Sequence, residues 1–288
     1  MVRLVARWDV GVLSGSSSPL VLAAKDVVVD FDRGHGKTLR AVDHVDFELR
    51  SGEVLGIVGE SGSGKSTLGR VAAGFLSPTS GEVSYATGRG GLQPRPQRRP
   101  RGHRDVQMIF QESAMALSPR LPVWRIVGEA LEPEMITVPA AGRRKIAGLK
   151  ARVEPHLERA GLRPDEFLDK RAGELSGGEK QRVAIARALA VSPIAMVCDE
   201  SVSALDVSIR AVVLNLFQRL SRDEGIALIF ITHDISVVAH LADQTAVMYR
   251  GAVVERGAPR DIIGDPQADY TRRLIAAVPT LERTWASR

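Results

Sequence analysis

The sequence predicts an α/β fold with an inserted helical subdomain, and two features of its pattern predict it. In both the first and the last part of the chain, short apolar and β-branched runs alternate with turns and helical stretches. Between them, from Glu112 to about Gly173, the character changes to helix. Strand-loop-helix units are typical of a sheet covered by helices, so the helical block is an insertion within one α/β core.

The elements before this block are mainly strands. LVLAAKDVVVDF, AVDHVDFEL and EVLGIVG are predicted strands because each is a short apolar or alternating run between turns. After a glycine-rich loop, residues 65–75 have helical composition, and Pro78 and Gly81 end that helix before the strand GEVSY. DVQMIF is a further strand, which ends at Gln111.

Helices, then strands, follow. WRIVGEALEP and a stretch rich in Arg, Lys, Glu and Ala up to Ala160 are predicted helices. IAMVCDE and IALIFITHD are strands, and the helix AVVLNLFQRLSRDEG between them ends at Gly225. QTAVMYRG and AVVERG are two strands joined by an Arg-Gly turn, and the last 24 residues form one amphipathic helix and a tail.

The composition excludes several classes of protein. The chain has 288 residues, of which 44% are hydrophobic and 25% charged, as in an ordinary globular protein. Its apolar runs are shorter than the roughly 18 residues of a membrane span, and the N-terminus is too interrupted for a secretory signal. The single cysteine, Cys198, allows neither an intramolecular disulfide nor a cysteine-bound metal cluster.

The net charge of +5 is partly concentrated in RGGLQPRPQRRPRGHR, residues 89–104. Such a stretch is able to contact nucleic acid or anionic lipid. It contains no aromatic residue on which a base would stack, and its prolines and glycines favour a solvated loop between two strands.

A phosphate-binding loop is predicted at GESGSGKST, which comprises Gly59, Glu60, Ser61, Gly62, Ser63, Gly64, Lys65, Ser66 and Thr67. The stretch fits G-x-x-x-x-G-K-[ST] and lies between a predicted strand and a predicted helix, as that motif requires. The glycines let backbone N–H groups turn toward phosphate oxygens, and the helix N-terminus adds positive potential. We expect Lys65 to reach the β- and γ-phosphates and Ser66 to bind Mg²⁺.

Two carboxylates follow the apolar strand IAMVC, namely Asp199 and Glu200. Ligands bind at the carboxyl ends of the strands in parallel α/β sheets, so both side chains are placed at a site. Asp199 is expected to hold the water shell of Mg²⁺, and Glu200 to polarise the attacking water as a general base.

His233 and Gln111 also lie at strand ends. The strand before His233 should lie beside that of Asp199, so His233 could donate a hydrogen bond to the γ-phosphate and position Glu200. The alternative is a structural histidine at a strand end. Gln111 has the reach to contact Mg²⁺ or the attacking water, and it begins the helical block.

A second anion-friendly turn occurs at LSGGEKQR, residues 175–182, ahead of the helical run VAIARALA. Ser176, Gly177 and Gly178 are placed at a helix N-terminus, where the alternative is simply an N-cap serine in a tight turn. One core binds one nucleotide at its phosphate loop, so a second anion-binding turn is redundant within a single chain. The turn would have a function if it bound the nucleotide of another molecule. We predict a dimer in which each chain offers the turn, including Glu179, to its partner's γ-phosphate.

In their order and context these motifs resemble those of an ABC transporter ATP-binding subunit. The resemblance extends from Leu20 over nearly all of the remaining chain and includes Ser203-Ala204-Leu205-Asp206. Within that superfamily the chain is similar to the oligopeptide, dipeptide and nickel importer family, through SALDVSIRAVVLNL, ITHDISVVAHLAD and DPQADYTRRLIAAVP.

The resemblance implies a P-loop NTPase fold: a RecA-like core with an antiparallel β subdomain and an inserted α-helical subdomain, the ABC ATPase fold. It implies an N-terminal tail over residues 1–19 and an ATP-binding domain over residues 20–264. The helical subdomain would occupy about residues 112–185, and an importer-type C-terminal extension residues 265–288.

The resemblance also implies a function. The chain would bind ATP and Mg²⁺ and hydrolyse ATP to drive uptake of peptides, or of nickel, glutathione or another small solute. It would lie peripherally on the cytoplasmic face of the inner membrane. It would pair with a second ATPase subunit, as a heterodimer or a homodimer, and dock on two permeases served by an extracytoplasmic solute-binding protein. No nucleic acid partner is expected.

The family's site roles carry over to matching positions. Ser66 and Gln111 would bind the metal, Asp199 its water, Glu200 would be the base and His233 the switch. Ser176 and Gly178 would contact the partner's nucleotide, and Asp206 would communicate across the dimer. The chain departs from the pattern at Ser201, where the family usually has proline. The adenine-stacking aromatic is also not evident, with Phe31 as its candidate.

Two other classes compete with this interpretation. A cassette ATPase acting on nucleic acid or ribosomes is supported by residues 89–104, but such proteins usually carry two cassettes or long coiled-coil insertions, which the sequence lacks. A signalling GTPase would need a guanine-reading N/T-K-x-D motif, which is absent, and it would leave LSGGE unexplained.

Overall fold

A computed structural model of the chain describes residues 18–86, 92–94, 105–110, 116–133, 143–203 and 205–277. Gln111, Ala204 and most of the basic stretch 89–104 lie outside them. So do residues 1–17 of the predicted N-terminal tail and residues 278–288 of the predicted C-terminal extension. Within the described ranges, no helix combines the length and the apolar character that crossing a bilayer requires.

The chain divides into two compact units. The first comprises Met1–Val106, Ile194–Glu200 and Leu220–Arg288, and the second comprises Gln107–Pro193 and Ser201–Arg219. Each unit therefore contains segments that are distant in sequence. The predicted helical subdomain at about residues 112–185 falls within the range of the second unit, and its exact bounds stay a prediction.

A small antiparallel sheet in the first unit has the strand order β2-β1-β4-β5. Its strands are β1 (Leu20–Asp32), β2 (Thr38–Arg50), β4 (Ser80–Ala86) and β5 (Leu92–Pro94). Buried side chains alternate with less buried ones along the second half of β2, where Val45, Phe47 and Leu49 face the core. The pairing of β1 with β2 shifts register near Asp26 and His44, both of which have positive φ. The predicted strands that correspond to β1, β2 and β4 are confirmed and are longer than predicted. β5 was not predicted: it lies within residues 89–104, which were expected to form a loop, and it pairs with β4.

A larger sheet has the order β10-β9-β3-β8-β7-β6. Its strands are β3 (Val54–Val58), β6 (Val106–Ile109), β7 (Ala195–Asp199), β8 (Ala227–Thr232), β9 (Gln244–Tyr249) and β10 (Ala252–Gly257). The central strands β3, β8 and β7 run parallel and are buried along their whole length, because helices cover parallel sheets on both faces. Their carboxyl ends consequently meet at one edge.

Among the residues that the structure describes, four helices accompany the sheets of the first unit, and the second unit is mainly helical. The helices of the first unit are α1 (Lys65–Ala72), α7 (Ile235–Leu241), α8 (Pro259–Gly264) and α9 (Asp269–Ala276). The second unit contains α2 (Val123–Leu131), α3 (Arg143–Arg159), α4 (Pro164–Phe167) and α5 (Gly177–Leu189). Helix α6 (Val207–Arg222) begins in the second unit. The predicted helices of the central block and the amphipathic helix near the C-terminus are therefore confirmed.

The helices differ from the predictions at several points. The predicted helix over residues 65–75 ends at Ala72, because Gly74 adopts φ 70° and its N–H bonds the Val71 carbonyl at 2.9 Å, a glycine stop that precedes Pro78. Helix α7 was not predicted. Helix α8 was not predicted either. It is only six residues long, and Pro259 opens it at a position where proline lacks only an N–H that has no partner within the helix.

Candidate functional site

The phosphate loop follows β3 directly and leads into α1. Gly59 and Gly64 have φ values of 153° and 104°. A Cβ atom at Gly59 would lie 2.2 Å from the carbonyl oxygen of Met248, and one at Gly64 would lie 2.2 Å from that of Ala41. Neighbouring backbone therefore requires glycine at both positions. Gly62 differs, because a Cβ atom there would meet nothing within 4 Å.

We predict that Gly64→Ala lowers the free energy of unfolding by about 3 kcal/mol, because its Cβ collides with backbone and its φ disfavours alanine. Gly62→Ala, with φ 79° and open space, is the matched control and should cost about 1 kcal/mol. Urea unfolding of both variants measures the difference. Equal midpoints for the two variants would contradict the packing argument.

Lys65 is buried within the loop at 4% exposure. Its Nζ donates to the carbonyl oxygens of Gly59 at 2.8 Å and Glu60 at 2.7 Å, and to Ser63 Oγ at 3.4 Å. Burial lowers the pKa of Lys65, while the carboxylate of Glu200 and two further acids oppose that change. The ammonium group thus lies inside the loop, on partners that a phosphate oxygen could replace.

Ser66 and Asp199 lie in contact across 133 positions of sequence. The Ser66 hydroxyl donates to Asp199 Oδ1 at 2.8 Å, from the first turn of α1 to the end of β7. Asp199 is 6% exposed, and burial raises the pKa of its carboxyl group above the usual value, with the nearby Glu200 as a further cause. The pair therefore presents two hard oxygen atoms where positive charge would be favourable.

Glu200 and His233 face each other at the ends of β7 and β8. Glu200 has φ 47°, and its backbone N–H donates to the Ile231 carbonyl at 2.9 Å, which ties it to β8. Its Oε1 lies 3.4 Å from His233 Nδ1. The His233 side chain is 59% exposed, so it can reach a ligand as well as Glu200. The structure therefore brings the predicted base and switch together beside the phosphate loop's strand.

The serine-glycine turn belongs to the second unit and opens α5. Ser176 is its N-cap: the Glu179 N–H donates to Ser176 Oγ at 3.4 Å, and the Ser176 N–H donates to Glu179 Oε2 at 2.7 Å. These reciprocal bonds form a capping box. The Ser176 backbone N–H that donates to the Glu179 carboxylate is the main cause that lowers the pKa of Glu179, and the Ser176 hydroxyl group lowers it further. The helix start that the sequence predicts is therefore present, with Ser176 exposed.

The two glycines of the turn have different surroundings. A Cβ atom at Gly178 would lie 2.3 Å from Ile209 Cγ2, so close packing between α5 and α6 requires this glycine. At Gly177 a Cβ atom would meet nothing within 4 Å. Like Ser176, Asp206 is exposed; it precedes α6, and its backbone carbonyl oxygen accepts a hydrogen bond from the Arg210 N–H at 2.8 Å. Packing thus explains Gly178, whereas Gly177 lies open.

The other predicted positions are placed as follows. Glu60, Ser61 and Gly62 are exposed on the loop, while Thr67 is half-buried in the first turn of α1. Phe31, the candidate for adenine stacking, is 39% exposed near the end of β1 opposite Leu39. Its role, like that of Gln111, stays a prediction.

Sequence reasoning missed Tyr270 of α9. Its hydroxyl oxygen accepts the N–H of Glu60 in the phosphate loop at 2.8 Å, across 210 positions of sequence. A tyrosine on the apolar face of an amphipathic helix is typical of a core position, so no local signal distinguishes it. Only the docking of α9 reveals the contact.

Comparison with known sequences identifies similar proteins. The model of the ABC transporter family matches residues 42–203. An oligopeptide transport ATP-binding protein of Lactococcus lactis is 41% identical over 245 residues, which cover 85% of this chain and 74% of that protein. A probable D,D-dipeptide transport ATP-binding protein of Escherichia coli is 39% identical over 281 residues, covering 94% and 84% respectively.

Solved structures give the same picture of the fold. A dimeric ATP-binding cassette in a post-hydrolysis state, bound to ADP and phosphate, superposes with a TM-score of 0.68 at 27% identity. The match covers 83% of this chain and 99% of that one. A component of an ABC transporter complex from Clostridium perfringens superposes with a TM-score of 0.70 at 25% identity, covering 92% and 98%. The predicted fold class is confirmed.

Proposed function

Since this chain belongs to the ABC transporter family, we propose that it is the ATP-hydrolysing subunit of an importer that drives uptake of peptides. The observation that carries the ATPase function is the set of contacts at one sheet edge: Lys65 inside its loop, Ser66 on Asp199, and Glu200 opposite His233. The peptide cargo is supported by the transport functions in the names of the relatives from Lactococcus lactis and Escherichia coli, an oligopeptide and a probable D,D-dipeptide transport ATP-binding protein.

The proposed hydrolysis uses the chain's own groups in sequence. Lys65 exchanges its carbonyl partners for phosphate oxygens and thereby holds the β- and γ-phosphates. Glu200 accepts a proton from the attacking water at a carboxylate oxygen, which makes the water a better nucleophile toward the γ-phosphorus. As the water oxygen bonds to the γ-phosphorus, the bond from that phosphorus to the β,γ-bridging oxygen breaks, its electron pair stays on the bridging oxygen, and ADP and inorganic phosphate are the products. His233, 3.4 Å from that carboxylate, orients it and donates a hydrogen bond to phosphate.

Magnesium fits the oxygen pair of Ser66 and Asp199. A hydroxyl and a buried carboxylate in contact are hard donors of the kind that Mg²⁺ prefers, and Asp199 would gain a countercharge. Bound Mg²⁺ supplies positive charge that offsets the negative charge of the phosphates. We propose Ser66 as its direct ligand and Asp199 as the acceptor for its water.

The remaining site residues are proposed to act between subunits. The turn formed by Ser176, Gly177, Gly178 and Glu179 would face the nucleotide of a second ATPase subunit, and Asp206 would lie at the junction of the two subunits. The open space at Gly177 and the exposure of Ser176 and Asp206 support this assignment. We propose a heterodimer with a second cassette chain, and a homodimer is the alternative.

The importer is proposed to contain two membrane permeases, served by an extracytoplasmic solute-binding protein. This chain would lie peripherally on the cytoplasmic face of the membrane, with its helical unit receiving a permease segment. The importer-type extension over residues 265–288 belongs to the same proposal. Family membership and the relatives' transport functions support this composition.

The test is a pull-down of the tagged Glu200→Gln chain from native membranes in detergent with ATP. We expect two polytopic permeases and a second cassette subunit to copurify, since blocked hydrolysis should hold the complex in its ATP-bound state. The matched control is the same preparation without ATP, which should retain less of the second cassette subunit. Recovery with ribosomes or nucleic acid, and without permeases, would overturn the transport function in favour of the alternative class.

A further inference from the structure

The C-terminal helix α9 is anchored to the core by a buried carboxylate. The backbone N–H groups of Gln267 and Ala268 donate to the two oxygens of Glu255, at 2.7 and 2.9 Å respectively. Glu255 lies on β10 and is itself buried. A charged acceptor makes these bonds stronger than bonds between neutral groups, so the start of α9 has a defined position.

This position brings Tyr270 to the strand that carries the phosphate loop. The Tyr270 ring is 5% exposed and stacks on Tyr249, with ring centroids 4.2 Å apart. Tyr270 belongs to the same buried cluster as Val58, the last residue of β3 before Gly59. The ring is therefore held by packing, independently of what its hydroxyl group contacts.

The hydroxyl group of Tyr270 completes the bonding of one peptide unit in the loop. In the peptide between Gly59 and Glu60, the carbonyl oxygen of Gly59 accepts a hydrogen bond from Lys65 Nζ at 2.8 Å. The N–H of Glu60 in the same peptide donates to Tyr270 Oη at 2.8 Å. Burial raises the pKa of Tyr270, so the hydroxyl is neutral near pH 7. The orientation of this peptide thus depends on two side chains from different parts of the chain.

Only one of the two contacts survives when a nucleotide binds by the proposed route. Lys65 leaves the Gly59 carbonyl for phosphate, which removes one of the two side-chain contacts on that peptide. We propose that Tyr270 is a positioning residue that keeps the Gly59–Glu60 peptide oriented while Lys65 holds phosphate. This inference rests on the proposed function, and it makes nucleotide affinity depend on the docking of α9.

The test compares Tyr270→Phe with Tyr249→Phe in the full-length chain. Tyr270→Phe keeps the stacked ring and removes the acceptor for the Glu60 N–H, whereas Tyr249→Phe removes a hydroxyl from the other ring of the pair. We expect Tyr270→Phe to raise the Kd for ATP about fivefold, as for loss of one hydrogen bond, and Tyr249→Phe to change it less than about twofold. Equilibrium binding measures the Kd values.

A purely structural role is separated by measuring unfolding in urea without nucleotide. A second variant, Glu255→Gln, keeps one acceptor oxygen, loosens the start of α9, and should raise the Kd for ATP about threefold although it lies outside the loop. Equal Kd values in the unchanged chain, Tyr270→Phe and Glu255→Gln would overturn the inference alone, even if stability falls. Failure of the unchanged chain to bind ATP would overturn the proposed function as well.

Discussion

Glu200→Gln is expected to bind ATP as tightly as the unchanged chain and to hydrolyse it at least about a hundredfold more slowly. The amide has nearly the shape of the carboxylate, so the contact with His233 and the backbone bond to Ile231 can persist. The amide cannot accept the proton of the attacking water. Phosphate release and equilibrium ATP binding measure the two properties separately.

The same variant should accumulate as an ATP-bound dimer, because ATP would join two subunits until it is hydrolysed. Light scattering on the purified chain with and without ATP tests this result. Glu82→Gln, which removes an exposed carboxylate on β4, is the matched control and should hydrolyse ATP at the unchanged rate. Hydrolysis at that rate by a homogeneous Glu200→Gln preparation would rule out Glu200 as the base.

Ser176→Arg is expected to reduce hydrolysis to less than about 1% of the unchanged rate and to leave ATP binding at the chain's own phosphate loop intact. Ser176 is exposed at the start of α5, and in the proposed dimer it faces the partner's nucleotide. A long charged side chain would occupy that space. The Kd for ATP of the isolated chain and the turnover of the assembled complex are the two measurements.

The control must separate obstruction from loss of the helix cap. Ser176→Ala removes the hydroxyl group that accepts the Glu179 N–H, without adding bulk, and should cost about 1 kcal/mol of stability. Urea unfolding of Ser176→Ala and Ser176→Arg therefore measures how much of the change in Ser176→Arg comes from the lost cap. If Ser176→Arg were destabilised far more than Ser176→Ala, misfolding and not obstruction of the interface would explain its lost turnover. Loss of ATP binding by the isolated Ser176→Arg chain would contradict the partner-facing assignment.

Much of the fold and of the candidate site could be predicted because their signals are local. The loop from Gly59 to Thr67 is recognisable within nine positions, and the capping box of α5 within four. Errors arose where a single residue decided the outcome, as at Gly74, which ends α1 before the predicted stop at Pro78. The six-residue helix α8 was missed because so short a segment shows no periodicity.

The sequence by itself determined the types of element, the phosphate loop and the candidate base, because these depend on residue identities at short spacing. The tertiary structure alone decided which of them meet. The strand order β3-β8-β7 brings Ser66 to Asp199 and Glu200 to His233, and the docking of α9 brings Tyr270 to Glu60. Strand order and helix docking depend on the pairing of strands and the burial of side chains that are distant in sequence. No short stretch of sequence predicts these contacts.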